Sequence, residues 1–394
     1  MNADVLSLTV DAGDALGIAD GSLLDVNGGG VANDGQITLD ALGTSTAGTY
    51  LYFRGNQALT GSGEVVLSDD PHNIVRPATD ADTLTNETGH TIRGAGQLLQ
   101  NVGGMINRGA ILAEGSGALV IDPGTPGFAN QGTLRAVGAG GLKLQNGAVN
   151  NFDHTIEVAD GSVLAMENVD LWSGHLAATG TGTGQILAGN GCDLDAVTVD
   201  ADTTVDVANG DIVNLYNGLT NHGTWHLNSI GASTAGTYLM FRGTQTLGGA
   251  GEVVLSDDPN NVVRPATDAD TLTLGADQTL RGAGQVIQNT GGMTNNGTIL
   301  AEGTYPLVID PGTSGFANWG TLRAAGPGGL KLTNGTFFNF SNTIEVADGS
   351  ILNLDAIQLM AGHIAATGAG TGQVLAGNGC VFSTVTIDAG TTVD

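Results

Sequence analysis

Lysine is almost missing from this chain. Lys143 and Lys331 are the only two, and 11 basic residues stand against 39 acidic ones, a formal net charge of −28. That balance excludes nucleic acid and an anionic membrane surface as partners, because phosphate binding requires a basic stripe. Aromatic residues are scarce at 4%, prolines number nine, and there are two cysteines. No apolar run approaches the roughly 20 residues of a membrane-spanning helix. The opening "MNADVLSLTVDAG" lacks the basic and apolar regions of a signal peptide. A helical period is sustained nowhere. Low aromatic content with 65 glycines could indicate disorder, but 41% hydrophobic residues, many of them Val, Ile and Leu, are enough to build a core.

What the chain does have is repetition. "GGMINRGAILAEGSGALVIDPGTPGFANQGTLRAVGAG" begins at Gly103 and returns, slightly altered, at Gly291, an offset of 188 residues. From Ser45 onward the two halves register without a gap, so that Tyr50 matches Tyr238, Arg76 matches Arg264 and Cys192 matches Cys380. Shorter phrases recur inside each copy, as in "NRGAILAEG" and "NQGTLRAVG". Repeats within repeats signal stacked units.

Each small unit offers a short strand with an inward apolar residue. The series runs Val10, Ile37, Val65, Ile92, Ile111, Leu134, Ile156, Leu176 and Val199. It continues at Trp225, Val253, Leu280, Ile299, Leu322, Ile344, Ile364 and Ile387. Within the long unit the spacings range from 19 to 28 residues. Alternation defines the strands: in "TIEVADG" Ile156 and Val158 face in and Glu157 faces out, and in "TLRAVG" Leu134 and Ala136 face in and Arg135 out. A second apolar strand follows each first one, and Asn-x-Gly turns at Asn33, Asn107, Asn130, Asn221, Asn295 and Asn318 punctuate the pattern.

These features predict an all-β parallel β-solenoid (β-helix) of about seventeen coils. It is built from two long tandem repeats, residues 1–188 and 189–394, the latter including the start of a third, within one continuous solenoid over 1–394. At about 4.8 Å per coil the rod is on the order of 80 Å long. A string of Ig-like sandwiches would instead space its strands about 8–12 residues apart in blocks of about 100, each with a buried Trp. Both chain ends read as the interior of a repeat, so the expectation is a segment of a longer repetitive protein.

The "N-x-G-T-I-x-A-x-G" cadence, at Asn107–Gly115 and Asn130–Gly138, resembles the right-handed β-helix of large secreted bacterial adhesins, filamentous-haemagglutinin-like proteins and autotransporter passengers. The resemblance implies a secreted or cell-surface bacterial fibre that extends, adheres or assembles outside the cell. Its implied partners are a host-cell, glycan or matrix surface, or further copies of itself stacked head to tail. No amino-terminal secretion domain, translocator barrel or Arg-Gly-Asp accompanies the cadence.

The alternative is a carbohydrate-active or carbohydrate-binding β-helix. Hydrolysis would need converging carboxylates, one of them with a raised pKa. The densest acidic stretch is "LSDDPHNIVRPATDADTL", with Asp69, Asp70, Asp80 and Asp82 around Arg76, in one of the longest coils. Its partner carries Asp257, Asp258, Asp268 and Asp270 around Arg264. The simple expectation is a loop leaving the rod, with aspartates forming turns and the arginine paired to one of them. Calcium is the cation such oxygens suit, although neither the EF-hand nor the GGxGxDx pattern is present. No nucleophile, base and orienting acid can be read together, so no enzyme and no required cofactor is expected. Of the tryptophans, Trp225 falls in the core series, while Trp172 and Trp319 are candidates for exposure. His222 and His226 are read as structural. Two geometric expectations follow: Cys192 and Cys380, about 38 Å apart, remain thiols, and Arg135 stacks beside Glu157, as Arg323 does beside Glu345.

Overall fold

The structure, a computed structural model, describes residues 2–43, 47–231 and 236–394; Ser45, where the ungapped register was expected to begin, lies outside them. Among the described residues every regular element is a strand and there is no helix. Strands pair in parallel with strands one turn further along the chain, forming a parallel β-solenoid of about sixteen turns. The chain divides into two compact units, one of residues 1–188 and 192–203 and the other of 189–191 and 204–394.

In the first unit three parallel ladders run side by side. One contains the expected core series: Ile37 pairs with Val65, Val65 with Ile92, Ile92 with Ile111, and so on through Leu134, Ile156, Leu176 and Val199. A second joins Leu119, Leu142, Leu164 and Ile186. The third joins Leu84, Met105, Phe128 and Val149. Every member of the core series from Ile37 to Val199 is fully buried. Burial of each such side chain contributes about 1.5–3 kcal/mol relative to exposure. Alternation does this work, because a strand's neighbouring side chains point to opposite faces of its sheet.

In the second unit Trp225, Val253, Leu280, Ile299, Leu322, Ile344 and Ile364 also form one buried ladder. Ile387 pairs with Ile364 in register but is 41% exposed, so the expected inward placement does not hold for it. The expected stacking is corrected at two steps. Val10 pairs with Asn33, and the residue above Ile37 is Leu16. Trp225 follows Val205 rather than Val199. In both places two short alternating strands, one on each side of a corner, stand a few residues apart in the same coil. Either satisfies the pattern, so sequence alone selects the wrong side.

The turn asparagines Asn107, Asn130, Asn295 and Asn318 belong to buried ladders that also take in Asn86, Asn151 and Asn339, which no Asn-x-Gly turn marks. Asn86, Asn107, Asn130 and Asn151 are completely buried, and each side-chain amide donates to the next carboxamide oxygen at 2.9, 2.9 and 2.7 Å. Asn295, Asn318 and Asn339 repeat the ladder at 2.8 and 2.7 Å. A buried amide left unpaired would cost about 1–3 kcal/mol, so the ladder satisfies most of the polar groups that the corner would otherwise strand. In the second copy Leu274 replaces Asn86, and the Asn295 side-chain oxygen is left without a donor. The glycine that follows is fixed by close approach. A Cβ on Gly132 would lie 2.2 Å from the Gly109 carbonyl oxygen, and one on Gly320 would lie 2.0 Å from that of Gly297.

The outward columns also stack as expected. Arg135 pairs in register with Glu157 and lies 3.3 Å from it; Arg323 and Glu345 do the same at 3.6 Å. Cys192 and Cys380 are both thiols, the first buried and the second half-buried. No helix among the described residues is long and apolar enough to cross a membrane.

Candidate functional site

The stretch from Glu64 to Pro77 turns a corner, and the expected loop is present there as a short excursion: Ala95 pairs with Asp69 and Gln97 with Ile74, so residues 70–73 bulge out of the ladder. In the second copy the same excursion separates the strands Glu252–Leu255 and Asn261–Pro265. Asp69 and Asp70 in the first stretch, and Asp80 and Asp82 in the turn after it, each accept hydrogen bonds from separate donors. Asp69 reaches two turns along, accepting from the Ser116 hydroxyl and from the Ser116 and Gly117 amides, the last at 2.6 Å. The Ser116 hydroxyl and these N–H groups hold its pKa below the ordinary aspartate value. Asp70 accepts from the His72 amide at 2.8 Å and pairs with the His72 ring. Asp80 accepts from the Gly103 amide at 2.9 Å, and Asp82 from the Thr79 hydroxyl at 2.8 Å.

The second copy repeats the scheme. Asp257 binds the Thr304 hydroxyl and the amides of Thr304 and Tyr305, again with a lowered pKa led by the Thr304 hydroxyl. Asp258 accepts from the Asn260 amide, Asp268 from the Gly291 amide, and Asp270 from the Thr267 amide and hydroxyl. Among the described residues no group of three His, Cys, Asp or Glu side chains is arranged to hold a metal ion. The arginines differ from expectation. Arg76 donates to the Tyr52 hydroxyl at 2.7 Å with its guanidinium 4.6 Å from that ring's centre, and Arg264 donates to the Thr290 hydroxyl and lies over Tyr238. A planar cation fits an aromatic face and leaves the aspartates to the backbone.

Other polar groups that sequence left scattered are brought together across turns. His175 meets Asp200 at 2.7 Å, and its counterpart His363 meets Asp388 at 2.8 Å. His226 pairs with Asp206 at 3.2 Å, and His222 is exposed at the turn before that strand. Asp170 and Asp193 are neighbours in register, and burial together with the Asp193 charge raises the Asp170 pKa. Beside them Trp172, 47% exposed, lies between Asn150 and Asp195 in its column. Coil-length spacing of 20–25 residues was the signal for these pairs, and it is usable only once the corners are known.

Of the tryptophans, Trp225 is fully buried and Trp319 is 55% exposed. Trp319 does not stand alone: its ring stacks on Phe340 with centroids 3.6 Å apart and planes 14° from parallel. Phe338 lies 6.1 Å from Phe340 at 24°. No protein-family model and no curated protein sequence matches the chain.

Proposed function

We propose that this chain is a structural and adhesive repeat segment of a secreted or cell-surface bacterial fibre protein, and that it performs no catalysis. One observation supports the reading above others. Within each unit the buried ladder passes from turn to turn without interruption, and its members are equivalent between the two copies, from Ile37 and Trp225 onward. A repeat held together by nearest-neighbour contacts tolerates duplication, since each added turn finds the same template. The aspartates serve turns, which suits a soluble acidic spacer better than a reaction centre.

Small-angle scattering tests the extended form. The expected profile has a linear cross-section region and a maximum dimension several times the cross-section; a globular profile would overturn the spacer reading. Surface location is checked by protease treatment of intact cells of the source bacterium, followed by immunodetection of the segment. Digestion without lysis is expected, and full protection until lysis would refute the placement.

A further inference from the structure

The two copies differ sharply at one corner. In the first unit successive turns carry Glu87, Arg108, Gln131 and Phe152. Arg108 pairs with Glu87 at 2.9 Å and donates to Gln131 at 3.3 Å, forming a polar ladder on the surface. At the equivalent positions the second unit has Gly275, Asn296, Trp319 and Phe340, and Asn150 is replaced by Phe338. Both charges are gone and two rings have been added. Beneath this surface the buried ladders are alike, with Asn107–Asn130 at 2.9 Å and Asn295–Asn318 at 2.8 Å. Packing therefore does not require the rings, because the fold accepts Gln131 and Asn150 in their place. Phe340 stands at a corner with φ of 44° and a break in register on either side, which supports its ring against that of Trp319.

We propose that Trp319, Phe340 and Phe338 form a binding surface for a neutral polysaccharide. Three near-parallel rings, with Trp319 55% and Phe338 37% exposed, offer apolar area without a charge in the ladder. A sugar ring presents C–H faces to aromatic carbon and hydroxyls to amides and hydroxyls, and Asn296, Ser341 and Asn342 lie on the same turns. Charge selects among partners. The net charge of −28 repels an anionic glycan and a second copy of this chain. A cationic protein would be drawn to acidic stretches rather than to the corner from which Glu87 has been removed. The proposal rests on the fibre reading for access to extracellular glycans, but its binding chemistry is separate.

Affinity electrophoresis of the whole chain tests it, in native gels holding galactomannan, xyloglucan, mixed-linkage β-glucan or, as the anionic control, polygalacturonate. The expected result is retardation in at least one neutral gel, abolished in the double variant Trp319→Gln, Phe338→Asn. That variant installs the first copy's residues, and an unchanged circular dichroism melt confirms that it folds. Absence of retardation in every neutral gel, retardation only in polygalacturonate, or retardation unchanged in the variant would overturn the proposal. Sedimentation velocity adds one further outcome: self-association lost in the variant would assign the corner to a second copy and also overturn it. Presence or loss of retardation leaves the scattering profile of the unassociated chain unchanged, so the site and the spacer reading fail independently.

Discussion

His90 shows how one side chain can set a pH limit. It is completely buried, and its Nδ1 lies 2.8 Å from Asn86 Oδ1 while its Nε2 lies 3.1 Å from the Asn33 amide nitrogen. An amide nitrogen can only donate, so Nε2 accepts and Nδ1 carries the proton: the ring is neutral. Burial lowers its pKa from 6.5 to about 4, opposed in part by the charge of Glu64. Since the folded pKa is depressed, the unfolded chain binds the proton first as pH falls. The stability due to the neutral ring is complete above pH 6.5 and is lost between there and about pH 4. At about 1.4 kcal/mol per pKa unit the loss is on the order of 3 kcal/mol. The second copy has Gln278 at this place, bonded to the Asn221 carbonyl at 2.7 Å. His90→Gln is therefore expected to remove this contribution from a melting-temperature profile over pH 4–7. An identical slope in variant and parent would show that His90 does not set it.

At the scale of the turn and strand, glycines divide into two kinds that sequence cannot separate. Gly132 has no room for a Cβ, with the Gly109 carbonyl oxygen 2.2 Å away, whereas Gly161 has φ of +73° and nothing within 4 Å. Gly161→Ala is expected to cost about 1–2 kcal/mol, from the left-handed backbone alone. Gly132→Ala must push adjacent turns apart and is expected to cost about 3 kcal/mol or more. Urea denaturation of both variants checks the order, and equal losses would contradict the close approach. The outward ion pairs matter less. Arg135 and Glu157 are 39% and 38% exposed and contribute at most about 1 kcal/mol, decreasing with salt.

Across the whole molecule, charge is the main condition-dependent term. A net charge of −28 destabilises any compact state by self-repulsion, and salt screens it over a Debye length of about 8 Å at 0.15 M. Melting temperature is expected to rise with sodium chloride. Calcium at constant ionic strength is expected to give no saturable, stoichiometric increment, because Asp69 and Asp257 already accept from backbone amides. A saturable increment abolished by Asp69→Asn and Asp70→Asn would establish a specific site there.

The sequence by itself determined that the chain is a parallel β-solenoid and identified its core series, in which Ile387 alone is exposed. Alternation and coil spacing are local, and repetition confirms each inference many times, as from Ile37 to Leu176. It also determined the outward Arg135–Glu157 neighbours, which follow from register once two coils are aligned. Only the tertiary structure decided which side of a corner a strand occupies, since Val10 and Leu16 carry equivalent patterns and differ in the turn between them. The candidate aspartates were legible as residues but not in their partners: Asp69 meets Ser116 at a separation of 47 residues, a distance fixed by two coils of unequal length. The aromatic corner was half legible. Trp319 could be identified as exposed, but its stacking on Phe340 depends on coil length and on a left-handed corner residue, and these arise from packing between turns.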